Sequence, residues 1–271
     1  MKNLIVTADD FGLSKEVNEA VETAHKSGIL TATSLMVGEP FAADAVERAR
    51  RMPDLGVGLH VALSRATPVS VPGDIPGLVD RDGLFRADLA GAGFRFFFLP
   101  NVRRQLESEI TAQFEAFAKT GLTLDHVNAH NHLHLHPTVL GFILKSGKRF
   151  GMKSIRIPKD TNAKGIGVLF LKPWLALMKS RLQKHGIKHN DVLLGLDETG
   201  FLDTKALISL IEGLSEQTAE LMCHPATGPW AGMDPMAKGF RHDLEFAALI
   251  DDATKAAIQK TGVNLIAFRD I

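Results

Sequence analysis

The residues of this sequence best suited to chemistry are an adjacent acid pair, Asp9 and Asp10, and its histidines, five of eleven of which fall between Leu124 and Pro137. In that run the even positions His126, Asn128, His130, His132, His134 and His136 are polar, while Val127, Ala129, Leu133 and Leu135 are apolar. A period of two predicts a strand with one face in a core and a row of imidazoles facing a cavity. The run is internal and alternates with apolar residues, unlike a terminal expression tag. His60 lies inside the apolar stretch 55–63, and His224 lies near the end of 219–225. One histidine in such a stretch is usually a satisfied core residue, but a metal site collected from separate strands needs several at successive strand ends.

Two imidazoles and one carboxylate with open positions suit a catalytic divalent cation. Such a cation acidifies bound water and polarises a carbonyl, as amide or ester hydrolysis requires. A second carboxylate then serves as general base, and a separate histidine protonates the leaving amine. Spacing does not choose the ligands among the histidines of the row. There is no Gly-x-Ser-x-Gly elbow, phosphate-cradling glycine loop or Rossmann fingerprint, and no second carboxylate-rich cluster for a phosphoesterase.

The elements that must position these groups alternate. Residues 4–8 read as a buried strand, and Ser14 as the N-cap of a helix to about His25. Adjacent aspartates on a regular strand point to opposite faces, so Asp9 and Asp10 reach one site only if the chain leaves the strand there. Further strands are expected at 31–37, 55–63, 153–158, 191–196, 219–225 and 264–268, with helices at 41–51, 102–120, 137–150, 204–214 and 243–261. The strand at 153–158 is expected to carry Arg156 outward. Between 64 and 100, Pro68, Pro72, Gly73, Pro76, Gly77, Gly83, Gly91 and Gly93 break any long element, which predicts a lid or binding loop. Its aromatic end, 94–99, reads as a packed lid base, with a surface for an apolar ligand as the alternative. The apolar stretch 165–184, with Trp174, Lys179, Arg181 and Lys184, is either a buried helix with a solvated basic end or a membrane-interface segment. Strand–helix alternation over 271 residues predicts one α/β domain, 1–271, with a parallel sheet closed or nearly closed into a barrel.

Composition excludes several classes. With 45% hydrophobic and 23% charged residues the chain is globular. Its 31 basic and 31 acidic residues cancel, so no global basic excess argues for nucleic acid, which leaves only a local patch. The single cysteine, Cys223, excludes an intrachain disulfide and a CxxC zinc site, and makes a reducing cytoplasm the simplest compartment. No run reaches the ~18 apolar residues of a membrane span. The first apolar run is too short for a signal peptide.

Ala8-Asp9-Asp10-Phe11-Gly12-Leu13-Ser14, Val57-Gly58-Leu59-His60, Asn128-Ala129-His130-Asn131-His132-Leu133-His134 and Met222-Cys223-His224-Pro225 resemble, in order, the motifs of YdjC-like carbohydrate deacetylases. The resemblance implies a deformed (β/α) TIM-like barrel related to polysaccharide deacetylases, which removes acetyl from an N-acetylated amino sugar with one divalent metal ion. It implies Asp10, His60 and His130 as ligands, Asp9 as general base and His224 as general acid. His132, His134, Asn128 and Arg156 are candidates for contacting the substrate or supporting the ligands. Residues 95–100, 112–117 and 124–130 are more similar to the hopanoid-biosynthesis-associated branch, which implies an N-acetylglucosaminyl hopanoid lipid as substrate and peripheral contact with the inner face of a membrane. The alternatives are a soluble chitooligosaccharide substrate, or a metal-dependent carbohydrate-binding protein without catalysis. Many members carry an acid in place of Asn128 and a histidine in place of Asn131; an asparagine can hydrogen-bond an imidazole but adds no charge. Two imidazoles favour Zn2+, while one aspartate with several waters is compatible with Mg2+.

Overall fold

A computed structural model describes residues 2–159, 166–215, 217–234 and 237–271. The chain opens with β1 (Asn3–Phe11), α1 (Lys15–Ser27), β2 (Ala32–Leu35), α2 (Ala42–Arg50) and β3 (Gly56–Val61). An irregular segment leads to α3 (Leu89–Phe98) and α4 (Pro100–Lys119), and then β4 (Val127–Ala129), α5 (Pro137–Arg149) and α6 (Ile166–His185) follow. The last part is β5 (Val192–Leu194), α7 (Thr204–Glu212), β6 (Thr218–Cys223), α8 (His242–Ile250), α9 (Asp252–Thr261) and β7 (Asn264–Leu265). Local chemistry sets several boundaries. The Ser14 side chain caps α1 by accepting from the Val17 amide, as its type and place predict, and Val17, Ala20, Val21 and Ala24 form the buried stripe. Asp88, Asp203 and Asp251 cap α3, α7 and α9 in the same way. The cap at Asp251 divides the single helix expected over 243–261 into two.

The strands form one parallel sheet in the order β4-β3-β2-β1-β6-β5, with β7 beside the start of β1. Its two edges meet through the segment after α5. The Val127 amide donates to the Ser154 carbonyl, and the Arg156 amide donates to the Val127 carbonyl, both at 3.0 Å. On the other side, the Leu193 amide donates to the Lys159 carbonyl at 2.7 Å. The Asn190 carboxamide fills the gap, accepting from the Ile157 amide at 2.7 Å and donating to the Ile157 and Val192 carbonyls at 2.9 and 3.0 Å. These bonds close a deformed (β/α) barrel, as expected from the alternation of elements.

Closure corrects the reading of Arg156. Ile155 and Ile157 are as buried as Arg156, all at 0% exposure, so the alternating side chains face two interiors. Arg156 points into the lumen rather than outward. The barrel floor is sealed by the last residues: Phe268 stacks on His126 with ring centroids 4.4 Å apart, and Asp125 accepts from the Phe268 and Arg269 amides at 3.3 and 3.0 Å. Gly58 has no side chain because that ring occupies the space; a Cβ there would lie 2.5 Å from His126 Cε1.

Two further expectations change. The aromatic run is not loop but the C-terminal half of α3; Phe96 packs inward, whereas Phe94 and Phe98 are each 61% exposed. The irregular part, 64–88, is held by two buried acids and a half-buried amide: Glu109 accepts from the Val69 and Ser70 amides, Glu39 from Thr67, and Gln105 from Gly77. Of the stretch 165–184, Gly165 lies outside the described residues. The remainder lies in α6, with Met178 and Leu182 buried and Trp174 and Leu177 exposed. Among the described residues no helix is long and apolar enough to cross a membrane.

Candidate active site

The acid pair sits where β1 loses its regular register. Pairing to β2 slips between Ala8 and Phe11, and Asp10 adopts a left-handed φ of 66°. A non-glycine residue there carries strain, commonly found at functional sites. The slip turns both carboxylates toward the lumen, as the adjacent pair requires if both serve one site.

Asp10 Oδ1 lies 3.3 Å from His60 Nε2 and 3.1 Å from His130 Nδ1, and the two ring nitrogens are 3.4 Å apart. The ligand atoms of these three residues all fall within 4.8 Å of one another. Asp10 and His130 keep 13% and 21% of their side-chain surface exposed, so the cluster opens toward solvent while His60 is buried. His60 Nδ1 lies 2.6 Å from Asn128 Oδ1, which accepts its proton and leaves Nε2 as a lone pair facing Asp10. The asparagine at 128 thus supports the imidazole without charge. Burial alone would lower the His130 pKa, but the Asp10 carboxylate outweighs it and raises it. For Asp10, burial is likewise outweighed, first by the charge and hydrogen bond of His130, and the carboxyl is held well below its ordinary range. Converging lone pairs from two imidazoles and a carboxylate, with one side open, fit a divalent cation.

Asp9 is placed differently. It is 2% exposed, and its Oδ1 accepts from Ser34 Oγ at 2.8 Å, Asn128 Nδ2 at 3.0 Å and Arg156 Nη2 at 2.9 Å; Oδ2 accepts from Arg156 Nη1 at 2.5 Å. Burial would raise its pKa, but Arg156 overrides this and keeps the carboxylate ionised far below its ordinary range. Arg156 is itself held by Glu220, whose Oε1 accepts from Nε and Nη2 at 3.0 and 2.8 Å and from Thr7 Oγ1 at 2.8 Å. Glu220 was not among the residues singled out from sequence, although a lone acid inside the apolar run 219–223 carried the same signal as His60 in its own strand.

The histidine row is not the strand its period predicts. β4 ends at Ala129, and residues 130–135 form a tight turn with Asn131 and His132 in left-handed conformations, φ 54° and 53°. His136 then caps α5 before Pro137. The turn separates the row: His130 joins Asp10, His134 is wholly buried, and His126 is in the floor. His132 faces the electrostatic field of Arg156, Asp9, His60 and His224, and burial followed by Arg156 lowers its pKa to about 3, leaving the ring neutral. His224 follows β6. Its amide donates to Glu245 Oε2 and its carbonyl accepts from His242 Nδ1, both at 2.6 Å.

A parallel (β/α) barrel with an acid–histidine cluster at the carboxyl ends of its strands defines the broad class of this molecule. The chain belongs to the YdjC-like protein family, which it matches over residues 3–260. It is 34% identical over 274 residues to a Geobacillus stearothermophilus protein, covering 98% of this chain and 96% of that one. It is 30% identical over 275 residues to one from Brevibacillus brevis, covering 99% of each. Both relatives bear the name carbohydrate deacetylase. Among solved structures, an Enterococcus faecalis protein provisionally described as a cellobiose-phosphate cleavage protein is similar with a TM-score of 0.75 and 25% identity, over 99% of this chain and 98% of that one.

Proposed function

We propose that this chain is a carbohydrate deacetylase that hydrolyses the N-acetyl amide of an amino sugar, with a divalent cation held by Asp10, His60 and His130. The convergence of those three ligand atoms beside the Arg156-held Asp9 is the observation that carries the reading, and the full-length similarity to proteins named carbohydrate deacetylase supports it. A cation bound there supplies Lewis-acid polarisation of the amide carbonyl and acidification of water. Asp9 accepts the proton of the attacking water. Its Oδ2 accepts from Arg156 alone among the described residues, which leaves that oxygen a lone pair for the proton. Arg156 and Glu220 fix that carboxylate in place. As the carbon–nitrogen bond breaks, His224 donates a proton to the departing amine, giving acetate and the free amino sugar. His132 borders the same space. Two imidazoles favour Zn2+, with Mg2+ the alternative.

The substrate in this proposal is an N-acetylglucosaminyl hopanoid lipid, reached from the cytoplasm at the inner face of the membrane. Support comes from Phe94, Phe97 and Phe98 exposed on α3, and from Trp174 and Leu177 exposed on α6, which also carries Lys172 and Lys179. Measuring acetate released from that glycolipid and from chitooligosaccharides tests the assignment; turnover of the soluble sugar alone rejects the lipid. Asp9→Asn is expected to lower kcat by about 10²–10⁴ while the protein keeps its metal, and retained turnover would remove Asp9 as the base.

A further inference from the structure

Four rings line the exits of β5 and β6 beside His224. Trp230 lies against His242 with centroids 5.2 Å apart, His242 against Phe240 at 5.9 Å, and Phe240 against Phe201 at 6.2 Å. The arrangement is fixed from below. Glu245, fully buried, accepts at 2.6 Å from the amides of both Gly200 and His224, so one carboxylate pins both exit loops. Gly200, at φ +82°, lies under the Phe240 ring, where a Cβ would come within 2.4 Å. Across the mouth, Arg65 Nη1 reaches both carboxylate oxygens of Asp234, at 3.2 and 3.0 Å, and ties the Trp230 loop to the segment after β3. Phe201 is 59% exposed, so the outer end of the row offers a ring to solvent. His242 donates from Nδ1 to the His224 carbonyl, which leaves Nε2 as an acceptor; it is buried and has no partner among the described residues.

We infer that this row is the pyranose platform of the site: the amino-sugar ring lies on Trp230 and Phe240, with its acetamido group directed past His224 toward Asp10. The inference rests on the deacetylation proposed above, because a residue that protonates the departing amine must adjoin the sugar carrying it. The C–H face of a pyranose is apolar and stacks on aromatic faces, which the rings of Trp230 and Phe240 supply.

Trp230 and Trp174 are the two tryptophans of the chain, so in a Trp174→Phe background the emission reports Trp230 alone. Titrating N-acetylglucosamine into that full-length, Zn2+-loaded protein is expected to change the emission saturably. Trp230→Ala is expected to raise KM for acetate release about tenfold with kcat within about twofold, and Trp230→Phe to recover most of the loss. Phe201→Ala, at an exposed position, is expected to raise KM about threefold and covers the case in which Trp230→Ala fails to fold. Flat emission together with unaltered KM in these variants overturns the platform, as does a fall in kcat at constant KM. Saturable emission change without acetate release from any acetylated sugar overturns the deacetylase reading and leaves the platform standing.

Discussion

At the floor of the barrel Asp125 and His126 pair at 2.9 Å; at the rim Asp10 faces His60 and His130 at 3.3 and 3.1 Å. The residue types are the same, and two of these histidines come from one short run. On the floor the imidazole is covered by Phe268, the glycine at 58 lets it lie flat, and the aspartate is spent on backbone amides of the C-terminal segment. At the rim the aspartate accepts no such bonds among the described residues, and its lone pairs face the histidines and solvent. One arrangement seals the barrel floor and the other leaves a candidate metal site. The difference shows that an acid–histidine pair becomes a site only where its remaining lone pairs are left unused.

This contrast can be broken experimentally. The largest effect is expected at the rim: His130→Ala should abolish stoichiometric metal binding, measured by elemental analysis, and lower kcat/KM by about a thousandfold. Its melting temperature should change little, so unfolding of this variant would mean that the rim is structural after all. At the floor the expectation reverses. Phe268→Ala should cost about 3–5 kcal/mol in denaturant unfolding while metal content stays stoichiometric. Gly58→Ala should cost about 1–3 kcal/mol by pressing on His126. His126→Ala made together with it should show a non-additive recovery, and simple additivity would refute the contact.

The smallest effect concerns pH. Asp125 is buried, which favours its neutral form, yet the His126 hydrogen bond and charge, together with the Arg269 amide and charge, outweigh burial and hold its pKa below the ordinary 3.8. A carboxyl depressed on folding stabilises the protein above its unfolded pKa, and that contribution is lost as pH falls through the folded value. Asp125→Asn should therefore cost about 1 kcal/mol at neutral pH, with the gap to the unsubstituted protein narrowing below about pH 4. A gap that stays constant to lower pH would show that the carboxylate charge contributes nothing.

Much of the site was legible where local rules decide geometry. Adjacent aspartates at the end of a buried run require a break in the strand, and β1 slips at that point. His60 in a fully apolar strand gained weight only beside the other strand-end groups, and the same reasoning applied to Glu220 points to the partner of Arg156. The histidine row misled because alternation is the signature of a strand only while the chain stays extended. Here Asn131 and His132 adopt left-handed conformations, which no pattern of polar residues announces.

The sequence by itself determined the alternation of strands and helices, the order of the motifs and the residue types available to the site, because these follow from local periodicity, capping and turn chemistry. Tertiary structure decided which histidine meets Asp10, that Arg156 points inward, and that His126 belongs to the floor. Those outcomes depend on ring closure through residues 154–159 and on a C-terminal ring reaching His126 from 142 positions away in sequence (268 − 126). A barrel strand buries both faces, so a period of two identifies the faces but cannot say which is the lumen.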